Sequence, residues 1–259
     1  MSAGALLLRQ VRFENTSFWR NPPAAFFTFV FPLMFLVIFN LLFGGEDIEV
    51  GSGTISGSTF YVPAIAAFSV ITACYTNIAI SVATARDLGI LKRVRGTPLP
   101  AAVYLSSRVV HSGLLAVLLM VVVTLAGMLF YGVDAPTDSF PTLLVTLVLG
   151  AAAFCSLGLA ITSVIPNAQA APAVVNASIL PLLFVSGIFI PTYGAPEWLT
   201  TVSGLFPVRH YSDAMLAAFV PDTVGPAFAF DWADLAVVAA WGLAGMLLAV
   251  RFFSWEPRR

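Results

Sequence analysis

Ala85-Arg86-Asp87-Leu88-Gly89-Ile90-Leu91-Lys92-Arg93-Val94-Arg95-Gly96-Thr97-Pro98-Leu99-Pro100 separates two apolar runs, residues 60–83 and 103–131. Each run exceeds the roughly 20 residues that carry a helix across a bilayer. The quoted segment holds Arg86, Lys92, Arg93 and Arg95, the middle one of three basic stretches. The others are Arg9, Arg12 and Arg20 near the start and Arg251, Arg258 and Arg259 at the end. Ten of the twelve basic residues lie in these stretches, and the acidic residues mostly lie between them: Glu46, Asp47 and Glu49; Asp134 and Asp138; Glu197, Asp213, Asp222, Asp231 and Asp234. Lys and Arg accumulate on the cytoplasmic side of membrane proteins. The pattern predicts a multi-pass protein of a bacterial cell membrane with both termini and the segment near residue 90 in the cytoplasm.

Composition agrees. The chain is 59% hydrophobic and 10% charged, with mean hydropathy +0.94, whereas a soluble domain carries about 25% charged residues. The basic stretches are too short to form a nucleic-acid surface. Cys74 and Cys155 both lie inside apolar runs and read as buried free thiols. The first apolar run is too long for a signal-peptide core and lacks a cleavage site, so it reads as a retained anchor.

Six spans are expected, at about residues 23–43, 60–83, 103–131, 142–165, 173–190 and 232–253. A Gly/Ser-rich acidic loop follows the first, through Ser58. The third is long enough to tilt, with Arg108 placed to snorkel. The uncharged turn at 166–172 lies inside by counting alone. Leu6, Leu7, Val11, Phe13, Phe18 and Trp19, interspersed with Arg9, Arg12 and Arg20, give residues 2–20 the pattern of an interfacial amphipathic helix. In residues 191–231, Pro191, Pro196, Pro207 and Pro221 prevent any uninterrupted span. Short helices that dip into the outer leaflet and return would fit, and so would a small folded surface loop.

No Gly-x-x-x-x-Gly-Lys-[Ser/Thr] sequence occurs, and the one lysine, Lys92, follows no glycine cradle. The chain lacks His-Glu-x-x-His, Gly-x-Ser-x-Gly and any carboxylate at mid-span. This argues against an intramembrane enzyme or an ion-coupled carrier and for energy supplied by another chain. His111 is expected to be neutral and bonded to a neighbouring helix. Arg209, His210 and Asp213 should form a local cap or ion pair, with His210 and Asp213 at i,i+3.

Leu88, Leu91 and Val94 repeat every three residues and give the segment over 85–97 one apolar edge; Pro98 and Pro100 stop the helix. The pattern Arg86, Asp87, Gly89, Leu91, Lys92, Arg93, Thr97, Pro98, Leu99 resembles the loop of ABC-2 type transporter permeases. Ala85, Asp87 and Ile90 depart from it. The run Leu180-Pro181-Leu182-Leu183-Phe184-Val185-Ser186-Gly187-Ile188-Phe189-Ile190-Pro191, then Trp198-Leu199, then Phe206-Pro207-Val208-Arg209-His210-Tyr211-Ser212-Asp213-Ala214, is similar to the same family's late signature. Arg20-Asn21-Pro22 before Phe31-Pro32 is similar too. The resemblance implies an all-α membrane protein: one domain of six transmembrane helices, an N-terminal interfacial helix, and short re-entrant helices between the fifth and sixth spans.

It also implies an export permease without its own nucleotide site, paired with a second permease, identical or not. Two ABC ATPase subunits would hold ATP and Mg. Residues 85–97 would then be the coupling helix, docking through Arg86, Asp87, Leu88, Leu91, Lys92, Arg93, Val94, Arg95, Thr97 and Pro98. A path between the first, second and fifth spans would be lined by Phe35, Phe39, Asn40, Phe68, Thr72, Tyr75, Asn77, Asn176, Phe184 and Ser186. Such a lining suits a hydrophobic or amphipathic drug, lipid or natural product. A polysaccharide or lipid-linked glycan is the alternative within the family, and a stacked aromatic path would favour it. Gly150, Ala151, Ser156 and Gly158 read as close-packing residues.

Overall fold

A computed structural model describes residues 2–50, 53–137, 139–192, 195–220 and 231–256. Ser2 caps α1 (Ala3–Trp19) by accepting from the Ala5 amide, and Pro22 opens α2 (Pro22–Phe43) at a position where its missing N–H costs nothing. The Gly/Ser-rich stretch expected to be a loop is instead a β-hairpin. Strand β1 (Asp47–Val50) pairs antiparallel with β2 (Gly53–Ser56), placing Ile48 opposite Ile55. Ile55 is buried against Phe60 and Tyr61, which gives the hairpin an apolar anchor that the polar composition concealed. Ser56 then caps the next helix through the Thr59 amide.

That helix is continuous from Gly57 to Asp87 but not uniform. It comprises α3 (Gly57–Ile71), a π-helical turn (Thr72–Thr76) in which the Asn77 amide bonds to the Thr72 carbonyl, and α4 (Asn77–Asp87). Every residue of α3 except Thr59 is buried. The chain then passes through a short α5 (Ile90–Arg95) into α6 (Ala101–Tyr131). Its 31 residues reach about 46 Å at 1.5 Å each, longer than the hydrocarbon core. Gly132, at φ 67°, ends α6 in the left-handed conformation. There follow α7 (Phe140–Ile161), α8 (Ala171–Val185), α9 (Glu197–Ser203), α10 (Pro207–Phe219) and α11 (Trp232–Phe252).

Five helices among the described residues are long and apolar enough to cross a bilayer: α2, the helix from Gly57 to Asp87, α6, α7 and α11. Their bounds fall within a few residues of those read from the sequence, apart from the fourth, which stops at Ile161. The expected fifth span, residues 173–190, is instead the 15-residue α8, which ends at Val185. Gly187, at φ 87°, bends the chain beyond it. Residues 191–231 contain α9 and α10 as separate short helices. Residues 214–219 of α10 are buried throughout, so this helix is not a surface loop. Asp138, Pro221, Asp222, Arg258 and Arg259 lie outside the described residues.

The body packs through small residues. A methyl at Gly127 of α6 would fall 2.6 Å from Val62, at Gly158 of α7 2.8 Å from the Tyr75 carbonyl, and at Gly150 into the Tyr211 ring. The assignment of Gly150 and Gly158 to close packing therefore holds. Gly242 of α11 meets Ala153, and Gly245 meets Leu157, so α7 and α11 run in the same direction. Cys74 and Cys155 are free and buried, as expected.

Gly158→Val should destabilise the purified protein by about 1–3 kcal/mol, because the side chain must displace backbone. Gly113→Ala, which meets nothing within 4 Å, should leave thermal unfolding unchanged or slightly improved.

Candidate functional site

The segment read as one amphipathic helix over 85–97 is two helices with an elbow. α4 continues through Asp87, Gly89 takes φ 68°, and α5 restarts at Ile90. Only glycine adopts that backbone without strain. Arg86 and Asp87 therefore do not belong to the exposed helix. Arg86 is 2% exposed, and its guanidinium donates to the Thr162 carbonyl at 2.8 Å and to the Ile165 carbonyl. Those carbonyls lie at and just past the C-terminus of α7, where a cation meets the negative end of the helix dipole. Asp87 accepts from the Ala168 amide at 3.1 Å. The end of α4 thus grips the turn between α7 and α8.

The apolar edge is also divided. Leu91 is fully buried in the core of its own chain, Val94 is half-buried against it, and Leu88 is exposed. Leu91 seats α5 on the body rather than offering itself to a partner. The outward face carries Lys92, Arg93 and Arg95, all exposed, with Thr97 and Pro98 beyond them. Thr97 closes α5 by donating to the Val94 carbonyl at 2.7 Å and accepting from the Leu99 amide at 3.3 Å.

The residues expected to line a path do not share one chamber. Phe35, Phe39, Phe68 and Phe184 do converge, around Phe189: its ring stacks on Phe39 at 5.7 Å and Phe35 at 5.3 Å, and touches Phe68 and Phe184 at 5.3 and 5.1 Å. Phe39 also stacks on Tyr61 at 4.9 Å. Tyr75, hydrogen-bonded to Ser178 at 2.7 Å, opens to an apolar cavity of about 420 Å³ with Phe154, Val208 and Trp241. Asn77 lines a different, polar cavity of about 530 Å³ between α1, α4 and α6. Asn40 donates to the Leu36 carbonyl on its own helix, and Ser186 to the Leu183 carbonyl. Thr72 sits half-buried in the π turn, and Asn176 is exposed on α8. Phe189 and Tyr61 were not among the expected residues, since no local pattern ties them to α2.

At the opposite end of the bundle, His210 does not pair with Asp213 as the i,i+3 spacing suggested. Its Nδ1 lies 2.6 Å from Asp234 of α11, and its Nε2 lies 2.8 Å from the Gly204 carbonyl. Two acceptors call for two donors, which only the imidazolium supplies. The hydrogen bond to Asp234 accordingly raises the His210 pKa above its ordinary 6.5, against an opposing effect of burial. Asp213 takes Arg209 instead, at 3.5 Å.

A bundle of bilayer-length helices with a basic elbow at one end is the architecture of a multi-pass membrane protein. A family model, that of the ABC-2 type transporters, matches residues 5–220, and the chain belongs to this family. It is similar to the putative transport permease ycf38 of Porphyra purpurea, 27% identical over 196 residues, covering 74% of this chain and 66% of the relative. The corresponding permease of Pyropia yezoensis is 26% identical over the same lengths. The probable multidrug ABC transporter permease YbhR of Escherichia coli K12 is 24% identical over 163 residues, 63% of this chain and 44% of that protein. The match thus spans just under two thirds of the algal proteins and less than half of the bacterial one.

Arg86→Met strands two carbonyls that a cation now satisfies and should cost about 1.5–3 kcal/mol for each charged hydrogen bond removed. Arg86→Lys should recover part of this, because an ammonium cannot present the guanidinium's fork. Unfolding followed in detergent measures both. The protonated His210 is the stabilised form, so its contribution is complete below pH 6.5 and is lost as pH rises through the higher folded-state pKa. His210→Gln should flatten the stability profile across that window.

Proposed function

We propose that this chain is the membrane subunit of an ATP-driven exporter, moving a hydrophobic or amphipathic molecule out of the cytoplasm or inner leaflet. One observation carries the reading. An exposed basic helix, α5, hangs from a buried Arg86 and a half-buried Asp87 that hold the α7–α8 turn. A partner that moves α5 therefore pulls on α4 and on that turn together. In this proposal the partner is a pair of ABC ATPase subunits, which bind ATP and Mg, and a second permease completes the path. Lys92, Arg93, Arg95, Thr97 and Pro98 form the docking face. Leu91, Arg86 and Asp87 link it to the bundle. Differential docking in the two ATPase states transmits the energy. The similarity to a probable multidrug permease of Escherichia coli supports a drug-like cargo.

In this reading α8 adds a sixth crossing to the other five, the fifth in chain order. Its 15 residues rise about 22 Å. α7 and α11 run in the same direction, so the chain between them has to return, and the segment after α8 completes the passage. On that count Arg251 lies on the same side as α5, the cytoplasmic side, and we take α9 and α10 as re-entrant helices of the outer leaflet. Export of a glycan or lipid-linked glycan is the second reading, favoured by the stacked rings of Phe35, Phe39, Phe189 and Tyr61.

Arg93→Glu, with its side chain in solvent, should leave thermal stability unchanged. It should reduce copurification of the ATPase and its permease-stimulated hydrolysis by about tenfold, because it removes one charge-assisted hydrogen bond and introduces a repulsion. Unchanged stimulation in Arg93→Glu and Lys92→Glu together would remove the docking assignment. Uptake into inverted vesicles, comparing an amphipathic dye with a lipid-linked oligosaccharide, separates the two cargo classes.

A further inference from the structure

The polar cavity of about 530 Å³ lies beneath α1, walled by Glu14 of α1, Asn21 before α2, Asn77 and Ser81 of α4, and Arg108 and His111 of α6. It sits at the basic end of the bundle. α2 starts there and α4 ends there, while Arg108, seven residues into α6, lies about 10 Å along that helix. This is the depth at which a bilayer changes from headgroup to acyl chain.

Its polar groups are incompletely satisfied. Arg108 Nε and Glu14 Oε1 are 3.5 Å apart, and Arg108 Nε is buried without a hydrogen-bond partner among the described residues. The guanidinium lies over the Tyr104 ring at 5.0 Å, which orients it without using its donors. His111 is 7% exposed, packs edge-on against Phe18 of α1 at 5.7 Å, and its Nδ1 has no partner among the described residues. The hydrogen bond to a neighbouring helix expected of His111 is absent at this nitrogen. A buried polar atom left unpaired costs about 1–3 kcal/mol, and the space in front of it greatly exceeds the roughly 30 Å³ share of one water.

We propose that this cavity binds the zwitterionic headgroup of a membrane phospholipid, its phosphate on Arg108 and His111 and its primary ammonium on Glu14. The charges select this chemistry. An anionic headgroup would satisfy Arg108 but set a second negative charge beside Glu14. A quaternary ammonium has no N–H to donate to the carboxylate. A primary ammonium supplies the missing cation, and the paired charges stay neutral overall. The proposal does not depend on which molecule is transported.

The test is native mass spectrometry of the full-length chain released from detergent. It is given phosphatidylethanolamine, phosphatidylglycerol or phosphatidylcholine of matched acyl chains, and separately water-soluble phosphoethanolamine. The ethanolamine lipid should be retained roughly tenfold over the other two, the usual worth of one charge-assisted bond, and phosphoethanolamine alone should bind far more weakly. Glu14→Gln should erase the preference for ethanolamine over choline. Asn77→Leu, on the facing wall and outside the ion pair, should lower retention of the ethanolamine lipid and serves if Glu14→Gln fails to fold. Equal retention of the three lipids by the unaltered protein, or a preference that survives both substitutions, overturns the proposal. Phosphoethanolamine binding as tightly as the lipid would make this a soluble-ligand site and would overturn it as well.

Discussion

Close backbone approach around the helix from Gly57 to Asp87 is the constraint on which the other contacts depend. In lipid, apolar side chains gain little by leaving their surroundings for one another, so helices associate through contact area and internal hydrogen bonds. The structure meets this with glycine where helices cross: Gly127 admits Val62, Gly158 admits the backbone at Tyr75, and Gly150 admits the Tyr211 ring. With α6, α7 and α10 held at these distances, α3 is enclosed almost completely. The interior is then dry enough that each polar group inside it needs a designated partner.

Arg86 illustrates what that demands. A buried guanidinium is costly unless its donors are met, and here they meet carbonyls that the end of α7 leaves without helical partners. One residue solves two problems, and in doing so fastens the exit of one long helix to the start of the return. Two residues past Asp87 the chemistry reverses. Gly89 turns the backbone, Leu91 seats α5, and the remaining cations face outward. Within ten residues the same side-chain type serves as internal clasp and as external charge, distinguished only by backbone geometry.

Much of the architecture was legible because span length and charge asymmetry are properties of whole segments. Runs of twenty apolar residues have few alternatives, and three basic stretches fix their alternation. The misreadings arose where individual side chains had to be aimed. Arg86 looked like its exposed neighbours, and only Gly89 hinted at a break between them. The hairpin from Asp47 to Ser56 was hidden by glycine and serine, whose composition signals a loop whether or not strands pair. His210 chose Asp234, 24 residues away, over Asp213, three away, because helical spacing says nothing about what a different helix brings alongside. Phe35, Phe39, Phe68 and Phe184, read as lining a path, pack together in the structure, but Phe189 at their centre belongs to an irregular stretch that no periodicity marks.

The π turn at Thr72–Thr76 has a consequence for how this helix can vary. Such a turn amounts to one residue more than an α-helix would accommodate. An extra residue rotates everything beyond it by about 100°, the angular step of a 3.6-residue turn. The direction in which α4 presents Arg86 and Asp87 is therefore set some ten residues upstream. Deleting a single residue there would leave the hydropathy pattern and every motif intact, yet swing the clasp away from the turn it grips. The phase of this helix, invisible to composition, is a character on which insertions and deletions act.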